Sequence, residues 1–145
     1  MTLTPKSRIL AVDFGDARTG LAATDWTGSI VVPLPRIDAR DQDEVVRQIE
    51  ELLRERDSQA VVVGMPLTVD GAVGERAQRT QEFVDRLRAK VSLPVATVDE
   101  SHSTDEAHER LKQFGMKAKK RKDFADSVAA VVILERYREQ LRRGG

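Results

Sequence analysis

The chain has 145 residues, 40% of them hydrophobic and 33% charged, which predicts a single soluble globular domain over residues 1–145 and excludes a disordered chain. It contains no cysteine, which excludes disulfides and thiolate metal sites, and no apolar run of the roughly 18 residues that a membrane span needs, so a cytoplasmic protein without membrane contact is expected. The 24 basic and 24 acidic residues cancel, so only local charge clusters can indicate a nucleic-acid partner.

The predicted elements begin with an antiparallel meander. Short apolar runs between turn residues predict strands over Arg8–Asp13, Thr19–Thr24 and Ser29–Leu34. Pro33 lies in the third run, and Pro35 directly follows it. Because proline cannot donate a backbone hydrogen bond, this strand should lie at an edge of the sheet or end early.

After the meander, helical and strand periods alternate. Helices are predicted over Val45–Leu53, with Asp41 as N-cap, and over Ala77–Val91, and strands over Ala60–Val63 and Val95–Val98. The capping box Ser103–Glu106 then opens a further helix. A loop or frayed helix over Lys117–Lys122 leads into a final helix over Phe124–Leu141. This order predicts an α/β fold: a mixed five-stranded sheet with the first strand central and helices on both faces. The carboxyl ends of strands, where ligands bind in such sheets, would then share one edge.

Three acidic residues occupy positions where a carboxylate is costly. Asp13 and Glu100 each follow the apolar run of a predicted strand, and Asp126 lies in the apolar stretch Phe124–Leu134. Converging buried carboxylates repel one another unless a cation binds them, and oxygen ligands favour Mg²⁺ or Mn²⁺. The set predicts the centre of a metal-dependent phosphodiesterase. Each acid also has an alternative role: Asp13 as part of a turn at the strand end, Glu100 as an acid at the start of a helix, and Asp126 as a buried helix cap.

Further charged residues lie close to these acids in the sequence. Asp99 and Asp123 are candidates for secondary ligands, or simply charges at helix termini. Candidates for binding nucleic-acid phosphates are Arg18, His102 and the lysines of the basic run (Lys119, Lys120 and Lys122). The alternative for each is a solvated surface charge. Trp26 and Tyr137 are too few to predict base stacking and are expected to pack.

Four blocks of sequence carry a specific resemblance. They are Asp13–Ala22, Val63–Leu67 continued by Asp70, Gly71 and Gly74, Asp99–Thr104, and Asp126–Leu134. In this order they resemble the motifs of the YqgF/RuvX family, relatives of the RuvC Holliday-junction resolvases within the ribonuclease H-like fold. The family usually has arginine where this chain has Ser101, so the phosphate contact at this point is either weaker or supplied by His102 or the basic run.

The resemblance implies a hydrolase that cuts phosphodiester bonds with two Mg²⁺ or Mn²⁺ ions, held by Asp13, Glu100 and Asp126. It implies two substrates: RNA, in processing of the 16S ribosomal RNA precursor, which we favour, and a four-way DNA junction. A monomer would suffice for the first, whereas the second needs a two-fold homodimer. The alternatives are a non-catalytic nucleic-acid-binding factor and a nucleotide-binding ATPase, which would need two such domains.

Overall fold

In a computed structural model, residues 3–66, 74–99 and 118–144 are described, and the side chains of the last range are described from Ser127 onward. The strands in these ranges are β1 (Ile9–Asp13), β2 (Arg18–Thr24), β3 (Val31–Asp38), β4 (Ala60–Met65) and β5 (Val95–Asp99). They form one sheet in the order β3-β2-β1-β4-β5. Strand β1 is antiparallel to β2 and parallel to β4, which confirms the predicted mixed sheet and the central place of β1.

Three helices cover the sheet within the described ranges: α1 (Gln42–Glu55), α2 (Glu75–Lys90) and α3 (Ala118–Gly144). The predicted N-cap of α1 is confirmed, since the Asp41 carboxylate accepts a hydrogen bond from the backbone N–H of Asp43. The basic run is helical from Ala118 onward, so the final helix starts earlier than predicted. The helix predicted from the capping box Ser103–Glu106 lies outside the described residues.

The two faces of the sheet have separate cores. Along β1, Leu10 and Val12 pack with α1 and α2, while Ile9 and Ala11 pack with α3. All four side chains are buried, because each face of the strand is covered by a helix layer. The prediction of helices on both faces is confirmed. No helix among the described residues is long and apolar enough to cross a bilayer.

Strand β3 is an edge strand, as predicted, but it does not end early. It runs to Asp38 and contains both prolines, and its register against β2 shifts between Thr19 and Leu21. Prolines are tolerated here because an edge strand has one side on which no neighbouring strand needs an N–H donor.

The prediction that Trp26 packs is wrong, whereas Tyr137 does pack against the core under α3. Trp26 is 83% exposed at the tip of the β2–β3 hairpin. The Asp25 carboxylate accepts hydrogen bonds from Thr27 Oγ1 and from the backbone of Ser29 and Ile30, so this turn is held by polar contacts. The turn therefore needs no buried aromatic side chain to hold it.

Candidate active site

Asp13 is the last residue of the central strand, at the carboxyl edge of the sheet. Its side chain is only 13% exposed. Side chains alternate along a strand, so Asp13 lies on the α3 side with Ile9 and Ala11, opposite Val12 and Phe14. A carboxylate held this way on a rigid strand end is a suitable ligand for a hard divalent cation.

Strand β5 ends at the same edge. Gly64 of β4 pairs with Val98 and Met65 pairs with Asp99, while Val63 pairs with Val12 of β1. Val98 belongs to the core under α3, so alternation puts Asp99 on the other side of the sheet from Asp13. Asp99 is exposed, and its backbone carbonyl accepts a 2.8 Å hydrogen bond from Arg136 of α3. Its role as a secondary ligand stays a prediction.

Helix α3 brings its buried segment to the level of Asp13. Ser127 Oγ donates a 2.6 Å hydrogen bond to the carbonyl of Leu34, Leu34 pairs with Leu21, and Leu21 pairs with Val12. Position 126 is thus at the level of the carboxyl edge, although the hydrogen bond is made above β3, two strands from β1. The stripe that the sequence predicts for Asp126 contains Ala130 and Ile133, which are fully buried against the sheet.

The turn between β1 and β2 depends on a glycine. A Cβ on Gly15 would lie 2.4 Å from the carbonyl oxygen of Arg18, closer than any real contact of that kind. Arg18 itself begins β2, pairs with Asp38 of β3, and is exposed. Its guanidinium has no partner among the described residues. It lies at this edge of the sheet, and its role in binding a phosphate stays a prediction.

Helix α2 contributes two cations that the sequence analysis did not predict. Arg76 Nη2 lies 3.9 Å from Asp13 Oδ1. Arg79 Nε lies 3.0 Å from Asp16 Oδ1, although its hydrogen is not directed at that oxygen, and Arg79 Nη1 lies 3.4 Å from Glu75. A small cavity of about 20 Å³ lies here, lined by Phe14, Gly15, Asp16, Arg76, Arg79 and Thr80.

Several predicted site residues fall outside what the structure describes. Glu100 and His102 lie beyond the described residues, and for Asp123, Asp126, Lys119, Lys120 and Lys122 only the helical backbone is described. Within the described side chains, no group of three histidines and acids is close enough to hold a metal ion. Of the three primary predicted ligands, Asp13 is therefore the one whose side-chain environment is described. Its burial and position fit a metal ligand.

Comparison with known proteins gives consistent matches over almost the whole chain. Residues 7–140 match the family described as RuvX: Holliday junction resolvase. A protein of Synechococcus sp. (strain JA-2-3B'a(2-13)) is 38% identical over 92% of this chain and 78% of its own length. A protein of Chloroflexus aurantiacus (strain ATCC 29366) is 39% identical over 92% of this chain and 88% of its own. Both are named, provisionally, as a pre-16S rRNA nuclease.

Two solved structures resemble the fold. T. thermophilus RuvC in complex with a Holliday junction substrate has a TM-score of 0.60 at 16% identity, over 95% of this chain and 96% of that one. The Fowlpox virus resolvase with Holliday junction DNA has a TM-score of 0.56 at 13% identity, over 92% and 98%. At these identities the likeness concerns the fold alone. It confirms the predicted ribonuclease H-like architecture.

Proposed function

The chain belongs to the RuvX family of nucleases, and from this membership we propose that it is a metal-dependent nuclease that processes the precursor of 16S ribosomal RNA. Hydrolysis of nucleic-acid phosphodiester bonds is the activity that the family and the named relatives share. The finer assignment to ribosomal RNA is supported by the relatives' names, at 38% and 39% identity.

One observation carries the catalytic part of the proposal: the shielded carboxylate of Asp13 at the end of the central strand. Glu100 directly follows β5 in the sequence, and β5 ends at the same edge. Asp126 directly precedes Ser127, the residue of α3 whose hydrogen bond to Leu34 puts it level with Val12. We assign these three acids as the metal ligands. Carboxylates around a single point need a cation to relieve their repulsion, which is why the set favours Mg²⁺ or Mn²⁺.

The chain's own residues would bind and orient the substrate. When bound, divalent cations supply a nucleophile from water at neutral pH and neutralise charge on the phosphate. Arg18 extends from the start of β2 at this edge, where a guanidinium can bind a phosphate through two hydrogen bonds. The lysines at the start of α3 would bind flanking phosphates, which positions the strand without reading its sequence.

The family description favours a second candidate, cleavage of a four-way DNA junction. A junction has two symmetric strands to cut. Cleavage of a junction therefore needs two active sites related by a two-fold axis. Cleavage of RNA by a single chain has no such requirement. The substrate and the oligomeric state of the active species can therefore be tested together.

The test is cleavage by the pure protein of three labelled substrates: a fragment spanning an end of mature 16S RNA, an unrelated single-stranded RNA, and a four-way DNA junction. We expect cleavage of the precursor fragment with Mg²⁺ or Mn²⁺ and none with a chelator. Preferential cutting of the junction would favour the second candidate. Binding of all three without cleavage of any, at several metal concentrations, would contradict the proposal.

Asp13→Asn is the matching variant. We expect it to abolish cleavage and to keep the wild-type circular dichroism spectrum, because it preserves the shape of the side chain. Metal should raise the melting temperature of the wild type much more than that of the variant, since ligand binding to the folded state adds stability. A folded variant with wild-type cleavage would exclude Asp13 as a metal ligand.

A further inference from the structure

One face of helix α2 is directed at the turn that follows Asp13. Arg76, Thr80 and Phe83 are spaced four and three residues apart, so they share this face, and Arg79 lies beside it. The rings of Phe83 and Phe14 are stacked, with centroids 4.3 Å apart and planes within 8°. Both rings are buried. The stack therefore fixes the first turns of α2 relative to the β1–β2 turn.

The two arginines on this part of α2 differ in their surroundings. Arg79 is between two carboxylates, those of Asp16 and Glu75, and is 39% exposed. Arg76 is 59% exposed and lies 3.9 Å from Asp13, a contact too long for a hydrogen bond. A long, exposed ion pair is weak and is easily exchanged for a better partner. The contact of Arg76 with Asp13 is thus weaker and more easily exchanged than the contacts of Arg79.

We infer that Arg76 is a substrate-binding residue whose guanidinium alternates between two anions. In the metal-free protein it is a counter-ion of Asp13. When divalent metal neutralises Asp13, Arg76 turns to a phosphate of the nucleic acid in the active site. The inference rests on the proposed function, because it takes Asp13 as a metal ligand and nucleic acid as the substrate.

The physical basis is competition for a single carboxylate. A cation near Asp13 lowers the gain from placing a second, divalent cation there, so Arg76 and the metal oppose each other in the absence of substrate. A bound phosphate changes the sign of the effect, because it brings negative charge to the same place. Arg76 should therefore weaken metal binding to the free protein and strengthen nucleic-acid binding to the metal-loaded protein.

This pair of opposite effects separates the inference from a structural role, which would change both affinities in the same direction or neither. The variant is Arg76→Gln, and the matched control is Arg86→Gln on the same helix. Arg86 is similarly exposed, at 52%, and its partner is Asp43 of α1 at 3.0 Å. Both variants remove one exposed arginine that lies within 4 Å of an aspartate, so they change net charge equally.

Mn²⁺ affinity is measured first, by titration calorimetry without nucleic acid. Arg76→Gln should bind Mn²⁺ about three- to tenfold more tightly than wild type, the size expected for one screened and partly exposed charge, and Arg86→Gln within about twofold. Arg76→Lys, which keeps the charge, should stay near wild type. Equal Mn²⁺ affinities for wild type, Arg76→Gln and Arg86→Gln would overturn the counter-ion role.

RNA affinity is measured next, by fluorescence anisotropy with a hydrolysis-resistant phosphorothioate strand at several salt concentrations. With Ca²⁺ present, Arg76→Gln should bind about tenfold more weakly than Arg86→Gln, and its salt slope should be smaller by roughly 0.7, the value for one phosphate contact on a single strand. With a chelator instead of Ca²⁺, the two variants should bind alike. Equal binding by both variants in Ca²⁺ would overturn the substrate role.

The two proposals fail in different ways. If the wild type neither binds nor cuts any nucleic acid, the proposed function is wrong, whatever the Mn²⁺ titrations give. If the wild type cuts RNA and Arg76→Gln cuts and binds as well as Arg86→Gln, the nuclease assignment stands and only the role of Arg76 is refuted.

Discussion

Gly15 allows a sharp test of how the active-site turn is built. An alanine Cβ there would meet the Arg18 carbonyl at 2.4 Å, and the obstructing atom is backbone, so no side chain can rotate away. The oxygen must retreat by roughly 1 Å to reach ordinary contact. That movement displaces the start of β2 relative to the end of β1, where Asp13 lies.

Two other glycines provide controls. A Cβ on Gly28 would lie 1.8 Å from the carbonyl oxygen of Lys6, and the φ of 77° at Gly28 is unfavourable for alanine. Gly28 lies in the β2–β3 turn, at the end of the strands opposite to Asp13. A Cβ on Gly144 would meet nothing within 4 Å. The three substitutions thus represent a clash at the site, a clash remote from it, and no clash.

The expected magnitudes follow from the contacts. Gly15→Ala should lower the free energy of unfolding by about 1–3 kcal/mol, the usual cost of overpacking. Gly28→Ala should lower it by about 2–5 kcal/mol, because the left-handed backbone adds roughly 1–2 kcal/mol to the clash. Gly144→Ala should raise the free energy of unfolding slightly, because alanine favours helix. The gain should stay below about 0.5 kcal/mol, because the end of a helix frays.

Urea unfolding measures the stabilities, and nuclease assays are run at a temperature where all three variants are folded. Gly15→Ala should lose about 10- to 100-fold in kcat/KM, because a displacement near 1 Å at a catalytic group costs about that much. Gly28→Ala should keep its activity per folded molecule despite its lower stability. The reasoning is refuted if Gly15→Ala matches Gly144→Ala in stability, or if it loses no more activity than Gly28→Ala.

Three further predictions concern charge and exposure. Neutralising the three lysines at the start of α3 (Lys119, Lys120 and Lys122) should reduce the slope of log affinity for RNA against log salt concentration, measured by anisotropy, by roughly 0.7 per lost contact. An unchanged slope would mean that these lysines are solvated surface charges that do not contact phosphates. Hydrogen bonds from Arg47 lower the pKa of Glu44 from 4.5 to about 2, so their contribution to stability should be complete above pH 4.5 and disappear as the pH falls towards 2. The carboxyl titration of Glu44, followed by NMR, should move up in Arg47→Gln. Trp26 is the chain's sole tryptophan, and its emission should be quenched by acrylamide almost equally in native and urea-unfolded protein; a well-shielded native signal would contradict its exposed position.

The fold could be predicted because each strand and helix has its own apolar period and is flanked by turn residues or a cap. The errors occurred where local propensity and tertiary context conflict. The final helix starts at Ala118 instead of Phe124 because alanine, lysine and arginine are good helix formers, so the basic run, predicted as a loop or frayed helix, is helical. Strand β3 continues past Pro35 because an edge strand tolerates proline, which the sequence alone did not decide.

The site was predictable in part for a similar reason. Asp13 is recognisable because an acid that ends an apolar run is unusual. Arg76 and Arg79 have no such signature, since arginines in the first turns of a helix are common. Their significance depends on the stack between Phe14 and Phe83, which brings residues about 70 positions apart in sequence together. The helical spacing of Arg76 and Arg79 from Phe83 was the available signal, but it points to the site only once the partner of Phe83 is known.

The prolines of β3 also bear on how two copies of this chain can associate. Edge strands are the usual place where a sheet continues into a second molecule, through a new row of backbone hydrogen bonds. Pro33 and Pro35 carry no N–H, so a strand laid along the outside of β3 would find donors missing at alternate positions. Joining two sheets through β3 into one continuous sheet is therefore disfavoured. A two-fold pair able to cut both strands of a junction is expected to meet through other surfaces. The same gap in the row of donors disfavours aggregation through the β3 edge.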